Sequence, residues 1–124
     1  MKRCLFGWIA FLLISCTGPS TEKVTPPSAP TPADLKNGEA LFTTNCARCH
    51  GTRGTGTGFG PPFLSPIYEP NHHADAAFHF AARNGVQAHH WNFGNMPPYS
   101  HLSDPEVDEI VRYVRWLQKE AGIF

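Results

Sequence analysis

The sequence predicts an all-α domain of about three main helices joined by long loops. Three stretches carry that prediction. Ser103-Asp104-Pro105-Glu106 has the form of a capping box, and behind it Val107, Ile110, Val111, Val114, Leu117 and Ala121 recur on one helical face. Asp34 is placed to cap a second helical run, from Leu35 towards Asn45. Asp75 to Asn84 reads as a third, with Gly85 as its stop. No βαβ pattern is visible. A chain of 124 residues has room for one domain at most, and a domain that small needs a staple beyond its apolar core. Ten basic residues balance ten acidic ones, which argues against a nucleic-acid binder.

In chain order, Met1-Lys2-Arg3 is a short basic start. Cys4 to Ile14 is an apolar run of signal-peptide length, too short to span a membrane. The run ends in Leu13-Ile14-Ser15-Cys16, which resembles the lipobox of bacterial lipoproteins. That resemblance implies a signal peptide over 1–15 and a lipidated Cys16. The protein is then exported and anchored to a bacterial membrane, facing the periplasm or the outer surface. Removal of Lys2 and Arg3 leaves eight basic against ten acidic residues, too weak a balance to name a partner's sign. Thr17 to Ala33 is rich in Pro, Ser and Thr, so residues 16–33 read as the lipidated Cys and an extended tether. The folded domain is assigned to 34–124.

The first helix of that domain ends at Cys46-Ala47-Arg48-Cys49-His50. Two thiols three positions apart can add across the two vinyl groups of a haem, and the histidine that follows supplies an imidazole to the iron. A redox C-x-x-C and half of a zinc site are the competing readings. The first wants a βαβ setting, and the second wants further paired ligands. Glycines at every second position follow, from Gly54 to Gly60, without the spacing or the Gly-Lys-Ser/Thr ending of a phosphate loop. The loop is expected to wrap closely on the cofactor. In the Asp75–Asn84 helix, Phe78, Ala81 and Ala82 are expected to face inward. The loop Val86 to Asn95 is polar and carries His89, His90 and Trp91; Met96 is the one methionine besides Met1. His89, His90, His72, His73 and His101 show no recognisable metal-ligand spacing, and a solvated loop near the haem edge is the plainer reading. Trp91 is expected to pack there or to donate its indole N–H to a haem propionate.

Together these motifs resemble class I cytochromes c, the small mono-haem bacterial type, over about Asp34 to Phe124. The resemblance implies the cytochrome c fold around one haem c, covalent through Cys46 and Cys49. It implies His50 and Met96 as the two iron ligands, because methionine before proline in a late loop is the family's usual sixth ligand. Gly60-Pro61-Pro62-Phe63 is similar to the family's Gly-Pro-x-Leu segment, so the Pro61 carbonyl would accept the hydrogen bond from His50; Pro62 is an adjacent alternative. It also implies that the last helix crosses the first, pairing Ile110 and Tyr113 with Gly38 and Phe42. The implied role is transfer of single electrons between transient redox-protein partners by a monomer, not catalysis. Two other readings stay open: a gas sensor or weak peroxidase if Met96 leaves the iron easily, and a subunit of a larger oxidoreductase. His89 or His90 as the distal ligand is the remaining alternative at the iron.

Overall fold

The computed structural model describes residues 24–124. The expected signal peptide, the expected lipidated Cys16 and the start of the expected tether lie outside the described residues, as does Cys4. A 3-10 turn at Ala33–Leu35 leads into α1 (Lys36–Asn45), and a single turn, α2 (Ala47–His50), follows it. Further 3-10 turns occupy Thr52–Gly54 and Pro66–Tyr68. Next come α3 (Asp75–Asn84) and α4 (Asp104–Glu120). Among the described residues there is no strand, only the isolated bridges Thr57–Gly60 and Val86–Met96. No helix among them is long and apolar enough to cross a membrane.

α4 is the longest element, and its sequence explains it. Glu106 reaches back so that its carboxylate accepts from the Ser103 N–H at 2.8 Å and from the Ser103 hydroxyl at 2.6 Å. Val107, Ile110, Val111, Val114 and Leu117 are buried. Ala121 departs from the expectation: it is exposed, because the helix closes there. Gly122 donates to the Lys119 carbonyl and Ile123 to the Gln118 carbonyl, at 3.0 and 2.9 Å, which is a Schellman ending. Gln118, in the same helix, is fully buried and donates its amide to the Phe63 carbonyl at 3.0 Å.

Asp34 does not cap α1. Pro32 precedes the 3-10 turn and Asp34 falls inside it, with its carboxylate 3.1 Å from Arg112. The proline turns the chain early, so α1 opens at Lys36. α1 and α4 then cross at Gly38. A Cβ on Gly38 would collide with the Glu109 carbonyl oxygen and lie 3.0 Å from the Tyr113 Cβ. Only a bare backbone lets the helices meet so closely, and this explains a glycine inside a helix. Phe42 packs on Tyr113 with ring centroids 5.5 Å apart, and Ile110, Val114, Leu117, Phe63 and Leu64 complete the core. Burying side chains of this size contributes roughly 2 kcal/mol each.

The end of the proline-rich stretch lies on this core. Thr31 is buried and gives its hydroxyl to Glu39 at 2.6 Å. Arg53 donates to the Ala29 carbonyl at 2.8 Å, and its guanidinium sits 5.1 Å from the Trp116 ring. Arg53 is the one described non-glycine residue at positive φ (55°). That backbone costs about 1–2 kcal/mol.

Candidate functional site

α2 sets Cys46, Cys49 and His50 at i, i+3 and i+4, on one side of one turn. Cys46 takes its place from α1, through its N–H to the Phe42 carbonyl at 2.8 Å, and itself accepts from His50 N–H at 2.9 Å. The glycine-rich loop then folds back on this turn. Gly56 donates to the His50 carbonyl at 2.6 Å, and the Thr57 hydroxyl donates to the Cys49 carbonyl at 2.5 Å. A Cβ on Gly60 would stand 2.9 Å from that same Cys49 carbonyl, so glycine is what lets the loop lie so close. The fold-back brings the Pro61 carbonyl, rather than that of Pro62, to 2.9 Å from His50 Nδ1. Phe63 stacks on the imidazole with centroids 4.2 Å apart and planes 20° apart.

Burial holds His50 below the ordinary histidine range, and the Pro61 hydrogen bond offsets part of that. A neutral ring whose Nδ1–H donates to Pro61 keeps its lone pair on Nε2, the form that binds a metal. Burial pushes the Cys46 thiol up to about 11, and the neighbouring Cys49 adds to it. A redox-active C-x-x-C pair is shifted the other way. Cys46 and Cys49 form no disulfide. They also have no cluster of metal donors around them: among the described residues, three or more such side chains come together only at His72, His73 and His90. The redox and zinc readings of the motif therefore lose their support.

The other half of the site comes from the chain after α3. Gly85 ends that helix, and Val86 and Met96 exchange both backbone hydrogen bonds, at 3.0 and 2.9 Å. Tyr99 N–H donates to the Ala82 carbonyl at 2.6 Å. The Met96 loop is thus closed by its own bridge and tied to α3 through Tyr99. A cavity of about 950 Å³ separates the two halves, lined among others by Cys46, Cys49, His50, Phe78, Trp91 and Met96. Ala81 and Ala82 line it as well. Trp91 is half-buried and stacks on Tyr68, with centroids 5.6 Å and planes 15° apart. Burial pushes the Tyr68 phenol up to about 12, so it stays neutral.

Two of the residues that shape this cavity carry no signal in the sequence. Tyr68 follows no motif, yet its ring meets Phe63 at 5.0 Å, Phe78 at 6.2 Å and Trp91. Arg115 reads as a charge on the polar face of α4. In the fold it donates to Asp75 at 2.7 Å, to the carbonyls of Tyr68 and His73 at 2.6 and 2.5 Å, and to Gln118 at 2.8 Å. It holds the segment 68–73 against the last helix. The histidines also depart from expectation. His72, His73, His89 and His90 form one contiguous patch, while His101 lies apart with its ring 3.1 Å from Asn45.

A helical domain with a paired-thiol turn, a neutral buried imidazole and a large, mostly apolar cavity defines a small protein that attaches a haem covalently. The cytochrome c family profile matches residues 35–118, and the chain belongs to the cytochrome c family. It is 32% identical over 92 residues to cytochrome c6 of Bumilleriopsis filiformis, covering 73% of this chain and 98% of that protein. It is 31% identical over 86 residues to the cytochrome bc1 complex cytochrome c subunit of Corynebacterium diphtheriae, covering 68% of this chain. The match spans 27% of that subunit, so the likeness is to part of a longer protein. No solved structure matches the chain significantly. Its cofactor is one covalent haem c and it is an electron-transfer haem protein. The cavity fits that group, with two unpaired thiols and a neutral imidazole on one wall and a thioether on its lining.

Proposed function

We propose that Cys46 and Cys49 hold the haem by thioethers, with His50 and Met96 as the iron's two axial ligands. The chain then carries single electrons between redox proteins outside the cytoplasm, tethered to a bacterial membrane by lipid on Cys16. The observation that carries the site reading is that His50, with its Nδ1 on the Pro61 carbonyl, lines the same cavity as both thiols and Met96. The bound haem supplies one-electron chemistry at its iron. Pro61 fixes the imidazole's tautomer and direction. Phe63 covers one face of that imidazole and keeps water from it. Met96 is a soft donor that favours the reduced state and raises the potential. A haem held by both His50 and Met96 would leave no open iron site for a substrate, which suits a carrier rather than an enzyme.

Phe59, Phe80 and Phe93 line the cavity and are exposed, so its mouth is rimmed with apolar surface. Such a rim suits a small, short-lived contact with a redox protein. The tether reading rests on the apolar run ending at Cys16 and on the prolines that follow. A second reading, as one part of a larger oxidoreductase, is favoured by the corynebacterial relative, whose name places it in a bc1 complex.

Voltammetry of the purified full-length holoprotein and its Met96→Ala variant tests this function. The wild type should show one reversible one-electron couple and bind no carbon monoxide. Met96→Ala should lower the potential by on the order of 0.1 V, within the roughly 0.8 V that axial ligands command, and should gain carbon monoxide binding. Carbon monoxide binding by the reduced wild type would favour a sensor or peroxidase. Purification only together with other chains would favour the larger complex.

A further inference from the structure

Four imidazoles meet at one edge of the cavity, from segments distant in sequence. His72 and His73 end a strap that starts at the Pro66–Tyr68 turn. Both their backbone N–H groups donate to the Glu69 carbonyl, at 3.0 and 2.8 Å, and Arg115 holds the His73 carbonyl. His89 and His90 come from the Met96 loop, which is closed by the Val86–Met96 bridge and by Ala88 N–H on the Asn95 side chain at 3.0 Å. His72 Nε2 lies 3.4 Å from His90 Nε2. One donor atom each from His72, His73 and His90 lies within 4.8 Å of the other two. Two imidazole nitrogens on one tetrahedral zinc, each about 2.0–2.1 Å from the metal, stand roughly 3.3–3.4 Å apart. The His72 and His90 rings therefore already stand at ligand spacing, with His73 within reach of both. His73 Nδ1 is 2.7 Å from the Ile67 carbonyl and His89 Nδ1 is 2.8 Å from the Gln87 carbonyl. Bonds of this kind from a ring's far nitrogen orient histidine ligands in metal sites.

We propose that His72, His73 and His90 bind one divalent first-row transition cation of the zinc class, with water or His89 in the fourth position. The donor set decides the class. Three imidazoles without thiolate or carboxylate suit zinc, copper(II) or nickel(II), and not calcium or magnesium. A cation here joins the strap on α4 to the loop that carries Met96. It clasps that loop at the edge of the cavity.

Zinc titration of the holoprotein by calorimetry tests the proposal, alongside thermal unfolding with and without zinc. One zinc ion per protein is expected, with the visible haem spectrum unchanged. His72→Ala and His90→Ala should each weaken binding at least tenfold, while His101→Ala and His79→Ala leave it as it is. The unaltered haem spectrum of each variant shows that it has folded. Zinc should raise the melting temperature of the wild type and not that of His90→Ala. No zinc binding by the wild type, binding unaffected by both His72→Ala and His90→Ala, or a zinc-induced change in the haem spectrum would each overturn the site. An altered haem spectrum in His90→Ala would place that ring at the iron and overturn the site, whereas the zinc results do not depend on Met96 being a haem ligand.

Discussion

Glu106 shows how much one side chain decides at a helix end. Its carboxylate is held below the usual carboxylate range, first by the Ser103 hydroxyl, then by the Ser103 backbone N–H, and further by His101. A group whose folded pKa is lowered stabilises the fold above its unfolded value of 4.5, and that stabilisation is lost as pH falls through the lowered value. Glu106→Ala should therefore melt below the wild type at pH 7, and the gap should close as the pH drops below 4.5. A gap that stays constant down to strong acid would mean that Glu106 acts by packing and not by charge. At His50 burial holds the ring below the ordinary histidine range and the Pro61 carbonyl takes one nitrogen, so in the proposed site the other nitrogen would be the one to meet the iron.

Among the elements, the crossing of α1 and α4 positions everything else. α1 delivers Cys46 into the haem-attachment turn, and α4 carries both the core stripe and Arg115. Gly38→Ala gains roughly 1 kcal/mol of helix propensity but drives a methyl group into the Glu109 backbone. A backbone carbonyl cannot step aside as a side-chain end can, so a net loss of about 1–3 kcal/mol is expected. For a domain of this size, that lowers the melting temperature by roughly 4–8 °C per kcal/mol. Thermal unfolding of the variant checks it, and an unchanged or higher melting temperature would contradict the close crossing. The element level was also the most legible in the sequence. Asp75–Asn84 has the predicted limits, and α4 carries the predicted stripe up to its last residue. Asp34 does not act as the expected cap because Pro32, two residues upstream, has already turned the chain. Capping is a local rule, and a neighbouring proline overrides it.

In the whole molecule, two walls built from separate parts of the chain face one cavity. Each wall contains a stretch that stands out in the sequence, Cys46 to His50 on one side and Met96-Pro97 on the other, and residues of both line the cavity. The Pro61 contact came from resemblance, because nothing in a Gly-Pro run alone says which carbonyl will meet an imidazole. Tyr68, Arg115 and the meeting of His72 and His73 with His90 were not readable. They depend on how loops cross in three dimensions, and no spacing along the chain records that. The central claim is that this two-walled cavity holds a haem between His50 and Met96. The most direct measurement is the absorption spectrum of the oxidised holoprotein near neutral pH, from the visible to the near-infrared, for wild type and Met96→Ala. The account predicts a covalent low-spin haem with the weak methionine-to-ferric-iron band, and loss of that band in the variant. A covalent haem that lacks the band in the wild type, or one that keeps it in Met96→Ala, would contradict it.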